Sequence, residues 1–369
     1  MDPLSESQPP LTITGSIPGL NSLRGVAILT VVIFHGLAGR PPLGTFHGIA
    51  KAILYLSTWG QEGVQLFFVL SGFLITGILS DAKPKPAYFS RFYRRRAQRI
   101  LPAYLIMLAV LQATGLIHWR FFLAALLFIS NSPGAIGATN DYGSLWSLAV
   151  EEQFYLLWPQ LVWRVSLRAL VRTIPILIAA SFGLQLILAI LFPRVDPHYK
   201  LWGNAAWLLA GALPAAAIRS RDLHSGNITW WTHACFAATL ATLPIVFYVD
   251  WFNPRSLWKD FLPLPFVFLS VALLLRAVTR YSQGDLRASR VLSFLGYISY
   301  GLYLVHPFVF LEFDKMLPGM TTSMAGLLLS TIAVLGISTA LAYLSRKYFE
   351  DFFLRRRPFP VTKRSAPEH

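Results

Sequence analysis

The chain is 369 residues long, 55% hydrophobic and only 13% charged, with a mean hydropathy of +0.53. Its apolar runs are too many and too long for one soluble core, which excludes the soluble globular class and points to a polytopic membrane protein. The net charge of +15 lies in short basic clusters between apolar runs, as expected of cytoplasmic loops facing anionic lipid, and argues against nucleic acid as a partner.

Residues 1–19 are polar and Pro-rich, with no basic n-region and no cleavage site, and read as a cytosolic N-terminal tail instead of a signal peptide. Apolar stretches of spanning length then run over 20–39, 63–80, 101–117, 144–163, 173–192, 201–218, 229–249, 260–275, 291–312 and 323–345. The expected fold is therefore an all-α polytopic integral membrane protein, with about ten transmembrane helices in a membrane domain over 20–350 and a basic cytosolic C-terminal tail over 351–369. The extra apolar piece at 118–132 is expected to lie in the outer interface or to re-enter, because making it a span would export most of the basic loops. With it set aside, most Lys and Arg residues fall on one side, and both termini are cytoplasmic. Cys235, the single cysteine, lies in an apolar run and reads as a small core residue, so neither an intrachain disulfide nor a thiolate metal site is available.

The first span, NSLRGVAILTVVIFHG, carries Arg24 and His35 eleven residues apart. On an ideal helix that is almost three turns, so both lie on one face with a rise of about 16 Å between them. Arg24 alone would pass for a positive-inside anchor, and His35 for a hydrogen-bonded interior residue. The second span offers Gly63, Ser71, Gly72 and Gly77 for close helix approach. Glu62 at its outer end either joins a cavity or is solvated at the interface. Before the third span, YFSRFYRRRAQRILPAY holds Arg96 and Arg99 three apart on one helical face, a spacing of planar guanidinium forks that suits phosphate. A plain topogenic cluster binding lipid headgroups would show the same charge.

The fourth span brings Glu151 and Glu152 about two turns inwards, and the ninth places His306 in its outer half. A charge at the centre of a lipid-facing helix costs roughly 2.5–3.5 kcal/mol. A polar, protein-lined intramembrane cavity in the outer half is the cheapest home for these groups. Adjacent helical residues point about 100° apart, so at most one of the two glutamates faces a given partner squarely. Aromatic residues near span ends, among them Trp59, Trp146, Tyr199, Trp202 and Trp258, fit an interfacial belt.

Together, LNSLRGVAILTVVIFHG, GVQLFFVLSGFLIT, YRRRAQRILPAY, SLWSLAVEEQFYLLWP and LGYISYGLYLVHPF resemble the membrane acyltransferase family 3, which includes bacterial O-antigen and Nod-factor O-acetyltransferases. The resemblance spans about residues 20–350. It implies transfer of an acyl group, usually acetyl from cytosolic acetyl-CoA, to a hydroxyl of a carbohydrate or glycolipid acceptor, and a bacterial inner membrane as its location. The family's first-span Arg and His fall on Arg24 and His35, its Arg-x-x-Arg pair on Arg96 and Arg99, its Glu-Glu pair on Glu151 and Glu152, and its Tyr-x-x-His element on Tyr303 and His306. Gln65 stands where many members have Asp and is given no catalytic role. The periplasmic esterase-like domain of some relatives has no counterpart in this sequence.

On that basis Arg24, Arg96 and Arg99 are expected to hold the phosphates of acyl-CoA, and its pantetheine arm would run towards His35. His35 is suited to act as a base on the acceptor hydroxyl or to carry the acyl group itself. Glu151 or Glu152 could orient its ring or stabilise its cation, and His306 could be a second acid/base or a hydrogen-bonding partner. No metal is expected. The competing class is a proton-coupled transporter using the same intramembrane His, Glu and Arg, against which stands the lack of inverted repeats or matching broken helices.

Overall fold

A computed structural model describes residues 17–40, 46–192, 199–220, 225–252 and 263–355. Among them every regular element is helical and no strand occurs. The tails over 1–16 and 356–369, together with Trp258, lie outside the described residues.

The helices are α1 Pro18–Ile33, α2 Gly48–Thr58, α3 Gly63–Ala82, α4 Tyr88–Ala113, α5 Trp119–Leu126, α6 Trp146–Arg164, α7 Leu167–Leu191, α8 Leu201–Ser220, α9 Ser225–Phe252, α10 Leu264–Ser282, α11 Arg290–Tyr297, α12 Ser299–Met316, α13 Met324–Leu344 and α14 Asp351–Arg355. Local chemistry sets several of their starts. Pro18 occupies the first turn of α1, where its missing N–H costs nothing. Ser166, Ser289 and Ser323 cap α7, α11 and α13 by accepting a backbone N–H from the first turn. Lys83, in the turn after α3, donates to the carbonyls of Val162 and Val165 at 2.9 and 2.6 Å, satisfying acceptors at the C-terminal end of α6.

Helices occur at all ten stretches expected to span, but they are not equivalent. Seven described helical segments are long and apolar enough to cross a membrane, eight if the α11–α12 pair counts as one span bent by 77°. The count of ten is not reproduced, because α4 and α6 carry arginines and glutamates that dilute their apolar content. The segment 118–132 holds only the eight-residue α5, about 12 Å long and far too short to span. It is pinned from inside, with Phe121 fully buried and Tyr104 Oη donating to the Ala125 carbonyl at 2.8 Å.

Burial separates the helices into two sets. The spanning windows of α7 and α9 are only 17% buried, whereas that of α8 is 72% buried. Ile176, Ile187, Ile190 and Leu191 on α7 and Trp230, Leu240 and Ile245 on α9 stand exposed. Apolar faces of that extent belong against lipid and not water, which makes this a multi-pass membrane protein. Inside, α3 packs on α8 with no side-chain layer between them. A Cβ on Gly72 would come within 1.8 Å of Leu208 O, and one on Gly211 within 1.8 Å of Val69 O.

Two expectations about polar and aromatic residues are corrected. Glu62 is not solvated: it is 5% exposed, because the short helical turn Trp59–Glu62 folds it inwards against α1. Trp146 is buried against Phe68 and fills interior space instead of facing lipid, whereas Trp59 is half-buried and packs against Phe247 and Phe266. Cys235 is half-buried and lines an apolar cavity bordered by α7, α8, α9 and α10.

Candidate functional site

Arg24, one turn and a half into α1, meets Arg96 and Arg99 of α4 at a single cavity. The three-residue spacing of the α4 pair presents both to the same face, as expected, while the neighbouring Arg94 and Arg95 point away and are exposed. Ser71, Glu151 and Tyr155 also line this cavity. Glu151 accepts hydrogen bonds from Ser71 Oγ at 2.8 Å and from Tyr155 Oη at 3.1 Å, which fixes both of its oxygens. Arg96 stacks its guanidinium over the rings of Tyr155 and Phe92, 5.4 and 5.8 Å from their centroids. Among the described residues none of the three arginines forms an ion pair. One carboxylate thus shares the cavity with three cations, leaving a surplus of positive charge suited to a polyanionic ligand.

Glu152 does not line the cavity. It sits half-buried on the neighbouring face of α6, with Tyr104 and Tyr300 within electrostatic range. Only Glu151 of the two adjacent acids lines the cavity, consistent with the 100° step between helical neighbours, while Glu152 stays within electrostatic range of Arg96.

The histidines form the other end of the site. At Ile33 the α-helix opens into a π turn, Phe34–Ala38, and His35 lies within it. His306, fully buried on α12, lies beside it: His306 Nε2 is 3.2 Å from His35 Nδ1, and the ring centroids are 5.0 Å apart. The Nδ1 atoms of His35 and His306 are 3.0 and 2.9 Å from the carbonyls of Val31 and Leu302. Phe34, Tyr303 and Phe310 surround the pair with aromatic edges and faces.

Beyond the π turn, Arg40 forms a bidentate ion pair with Asp314 of α12, with Nε–Oδ2 at 2.9 Å. It also donates to Ser330 Oγ at 2.8 Å and to the Gly36 carbonyl at 3.3 Å. The segment carrying His35 is thereby tied to α12 and α13.

Tyr303 and Ser147 join the two ends. Tyr303 Oη donates to the Ser144 carbonyl at 3.0 Å, and its oxygen lies 2.7 Å from Ser147 Oγ. The expected orientation of the His35 imidazole by a glutamate is not what the structure shows. Neither Glu151 nor Glu152 hydrogen-bonds to His35 or His306. Tyr303 lies a turn from His306 on α12, and Glu151 a turn beyond Ser147 on α6, so the carboxylate is displaced towards the arginines by about 10 Å.

Ser71, Tyr155, Ser147 and the Arg40–Asp314 pair escaped the sequence reading. Tyr155 carried the clearest signal, four residues after Glu151 and therefore on its helical face. Ser71 reads only as a small packing residue, and nothing local in the sequence sets Arg40 apart from other basic residues. Among the described residues, no three His, Cys, Asp or Glu side chains converge on a potential metal site.

These features define a helical membrane protein whose first long helix bears a cationic cavity at one end and a paired histidine at the other. The acyltransferase domain of acyltransferase family 3 matches residues 17–344, and the chain belongs to that family. Among its relatives, YrhL of Bacillus subtilis (strain 168), provisionally named a peptidoglycan O-acetyltransferase, is 29% identical over 334 residues, covering 79% of this chain and 48% of YrhL. The O-acetyltransferase OatA of Staphylococcus aureus (strain NCTC 8325 / PS 47) is 32% identical over 195 residues, covering 47% of this chain and 30% of OatA. The peptidoglycan O-acetyltransferase OatA of Listeria monocytogenes is 28% identical over 216 residues, covering 51% of this chain and 31% of its own length. The matched region thus spans half or less of these curated relatives. No solved structure matches the chain.

Proposed function

We infer that the protein is a membrane-embedded O-acyltransferase that moves an acetyl group from acetyl-CoA to a hydroxyl of a carbohydrate acceptor, such as a cell-surface polysaccharide or a lipid-linked glycan. The observation that carries this reading is the convergence of Arg24, Arg96 and Arg99 on one cavity. The diphosphate and 3′-phosphate of a CoA thioester match such a cluster of guanidinium forks. An extended pantetheine arm is on the order of 15–20 Å long, comparable with the rise of about 16 Å from Arg24 to His35. The names of the relatives support a glycan acceptor, peptidoglycan in particular.

In this reading His35 removes the proton from the acceptor hydroxyl. The oxygen attacks the thioester carbonyl, the C–S bond breaks, and the departing CoA thiolate takes the proton from His35. Glu151 belongs to the donor end, where its charge limits repulsion among the arginines. The cavity lies within the membrane domain over residues 20–350, with both termini in the cytoplasm of a bacterial cell and the domain in its inner membrane. The proton-coupled transporter gains no support from the fold: only one bent helix pair is found among the described residues, without a matching partner.

The test is release of free CoA thiol from acetyl-CoA by purified protein in lipid nanodiscs, with peptidoglycan precursors and other glycans as acceptors. Thiol release dependent on a glycan, with acetyl ester found on that glycan, is the expected result. No release with any acceptor from demonstrably folded protein would overturn the reading.

A further inference from the structure

The acceptors around the two imidazoles assign their protons. A carbonyl oxygen can only accept, so the contacts to Val31 O and Leu302 O put a proton on each Nδ1. In a neutral His306 ring, Nε2 then bears a bare lone pair, which faces His35 Nδ1 at 3.2 Å. The single Nδ1 proton of His35 is consequently shared, donated both to the Val31 carbonyl and to His306 Nε2. The reverse direction would set a bare Nδ1 of His35 against the Val31 oxygen, lone pair against lone pair at 3.0 Å. His35 Nε2 is left with its lone pair and has no hydrogen-bond partner among the described residues.

We propose that His306 is a positioning residue behind His35: together with the Val31 carbonyl it holds the Nδ1–H tautomer, leaving Nε2 free to act as the base, and it shares the positive charge that forms when Nε2 takes up the acceptor's proton. The proposal rests on the acyl-transfer role inferred above for His35. The Nδ1 proton stays on His35 throughout, shared between the Val31 carbonyl and His306 Nε2. The proton that leaves the acceptor oxygen enters and leaves through Nε2, so the pair returns to its starting state at each turnover. In Ser-His-Asp triads a carboxylate stands behind the histidine. Here an uncharged imidazole occupies that place, which avoids burying an anion among Phe34, Tyr303 and Phe310.

Long-range ¹H–¹⁵N correlation of the histidine side chains in ¹⁵N-labelled wild type, recorded in nanodiscs above the imidazole titration range, reads the tautomer directly. His35 is assigned by the signal lost in His35→Gln. An Nδ1–H tautomer is expected, and an Nε2–H tautomer overturns the proposal without recourse to any His306 variant. His306→Leu removes the acceptor, whereas His306→Gln restores an acceptor that cannot take a proton. The leucine variant is expected to show a weakened preference for the Nδ1–H tautomer of His35, which the Val31 carbonyl alone then supports, and a kcat lowered roughly 10- to 100-fold at unchanged KM for acetyl-CoA, with the glutamine variant between it and wild type. A leucine variant with wild-type tautomer and kcat, or with a change confined to KM, overturns it. Full activity in His35→Gln would instead remove the acyl-transfer role on which the proposal rests, a result distinct from a wrong tautomer.

Discussion

At one end of α1, three guanidinium groups share a cavity with one hydrogen-bonded carboxylate; at the other, two imidazoles are packed among aromatic rings and tied down by the Arg40–Asp314 pair. The first region keeps its cations free of ion-pair partners among the described residues and stacks Arg96 on two aromatic rings, so its electrostatics are available to a ligand. The second has its donors and acceptors committed within the protein, except at His35 Nε2. The contrast separates affinity from turnover: the arginine end should govern how tightly a donor binds, the histidine end how fast it reacts.

The sharpest break in that division comes from His35→Ala. Acetyl-CoA-dependent thiol release should fall by about 10²–10⁴-fold, the range for losing a general base, while equilibrium binding of acetyl-CoA to the variant stays within threefold of wild type. A parallel loss of binding would show that the two ends do not act separately. Arg96→Ala and Arg99→Ala should do the opposite. Each removes a charge-assisted contact of roughly 1.5–3 kcal/mol, so KM for acetyl-CoA rises by about 10- to 100-fold with a smaller change in kcat. Arg96→Lys should recover only part of this, because an ammonium lacks both the fork and the stacking face that Tyr155 supports.

Asp314→Asn leaves the Arg40 guanidinium, only 6% exposed, without its counter-charge. Since Asp314 itself is 30% exposed, the cost should be about 1–3 kcal/mol, below the range for fully buried pairs. It should appear as a lower Tm and a lower kcat at constant KM. A change in KM alone would detach this pair from the histidine end. The smallest expected effect is that of the carboxylates. Glu151→Gln removes negative charge from the arginine cavity and should tighten acetyl-CoA binding by about 3-fold, whereas Glu152→Gln, outside the cavity, should change neither KM nor kcat by more than that. A large kcat loss confined to Glu151→Gln would return that residue to the reaction itself.

The sequence carried a good deal of this arrangement because helical periodicity is a local property. The meeting of Arg96 and Arg99 at one cavity and the close approach at Gly72 follow from spacing and residue size within single helices. What periodicity cannot supply is the axial offset between helices distant in sequence. Glu151 and His306 had been assigned similar depth by counting from span ends, and an error of a turn or two per helix suffices to exchange the partner of His35 from a carboxylate to an imidazole. Spacing leaves the choice between burial and solvation of Glu62 open for a related reason, since a short helical turn before α3 carries it inwards from a position that composition marks as a boundary. The 77° bend at Ile298 left no trace in a continuous apolar run.

The π turn at Phe34–Ala38 accommodates one residue more than the helix on which it is built. Everything after it is rotated by about 100° from where an uninterrupted α-helix would leave it. That rotation lets Arg40 meet Asp314 and Ser330 while His35 faces α12. The segment is therefore under a constraint of residue count as well as of composition. Loss of any one residue between Phe34 and Ala38 would restore regular helix and turn Arg40 away from its partners, even with every contacting side chain retained. Insertions and deletions, more than substitutions, should be the changes this stretch tolerates least.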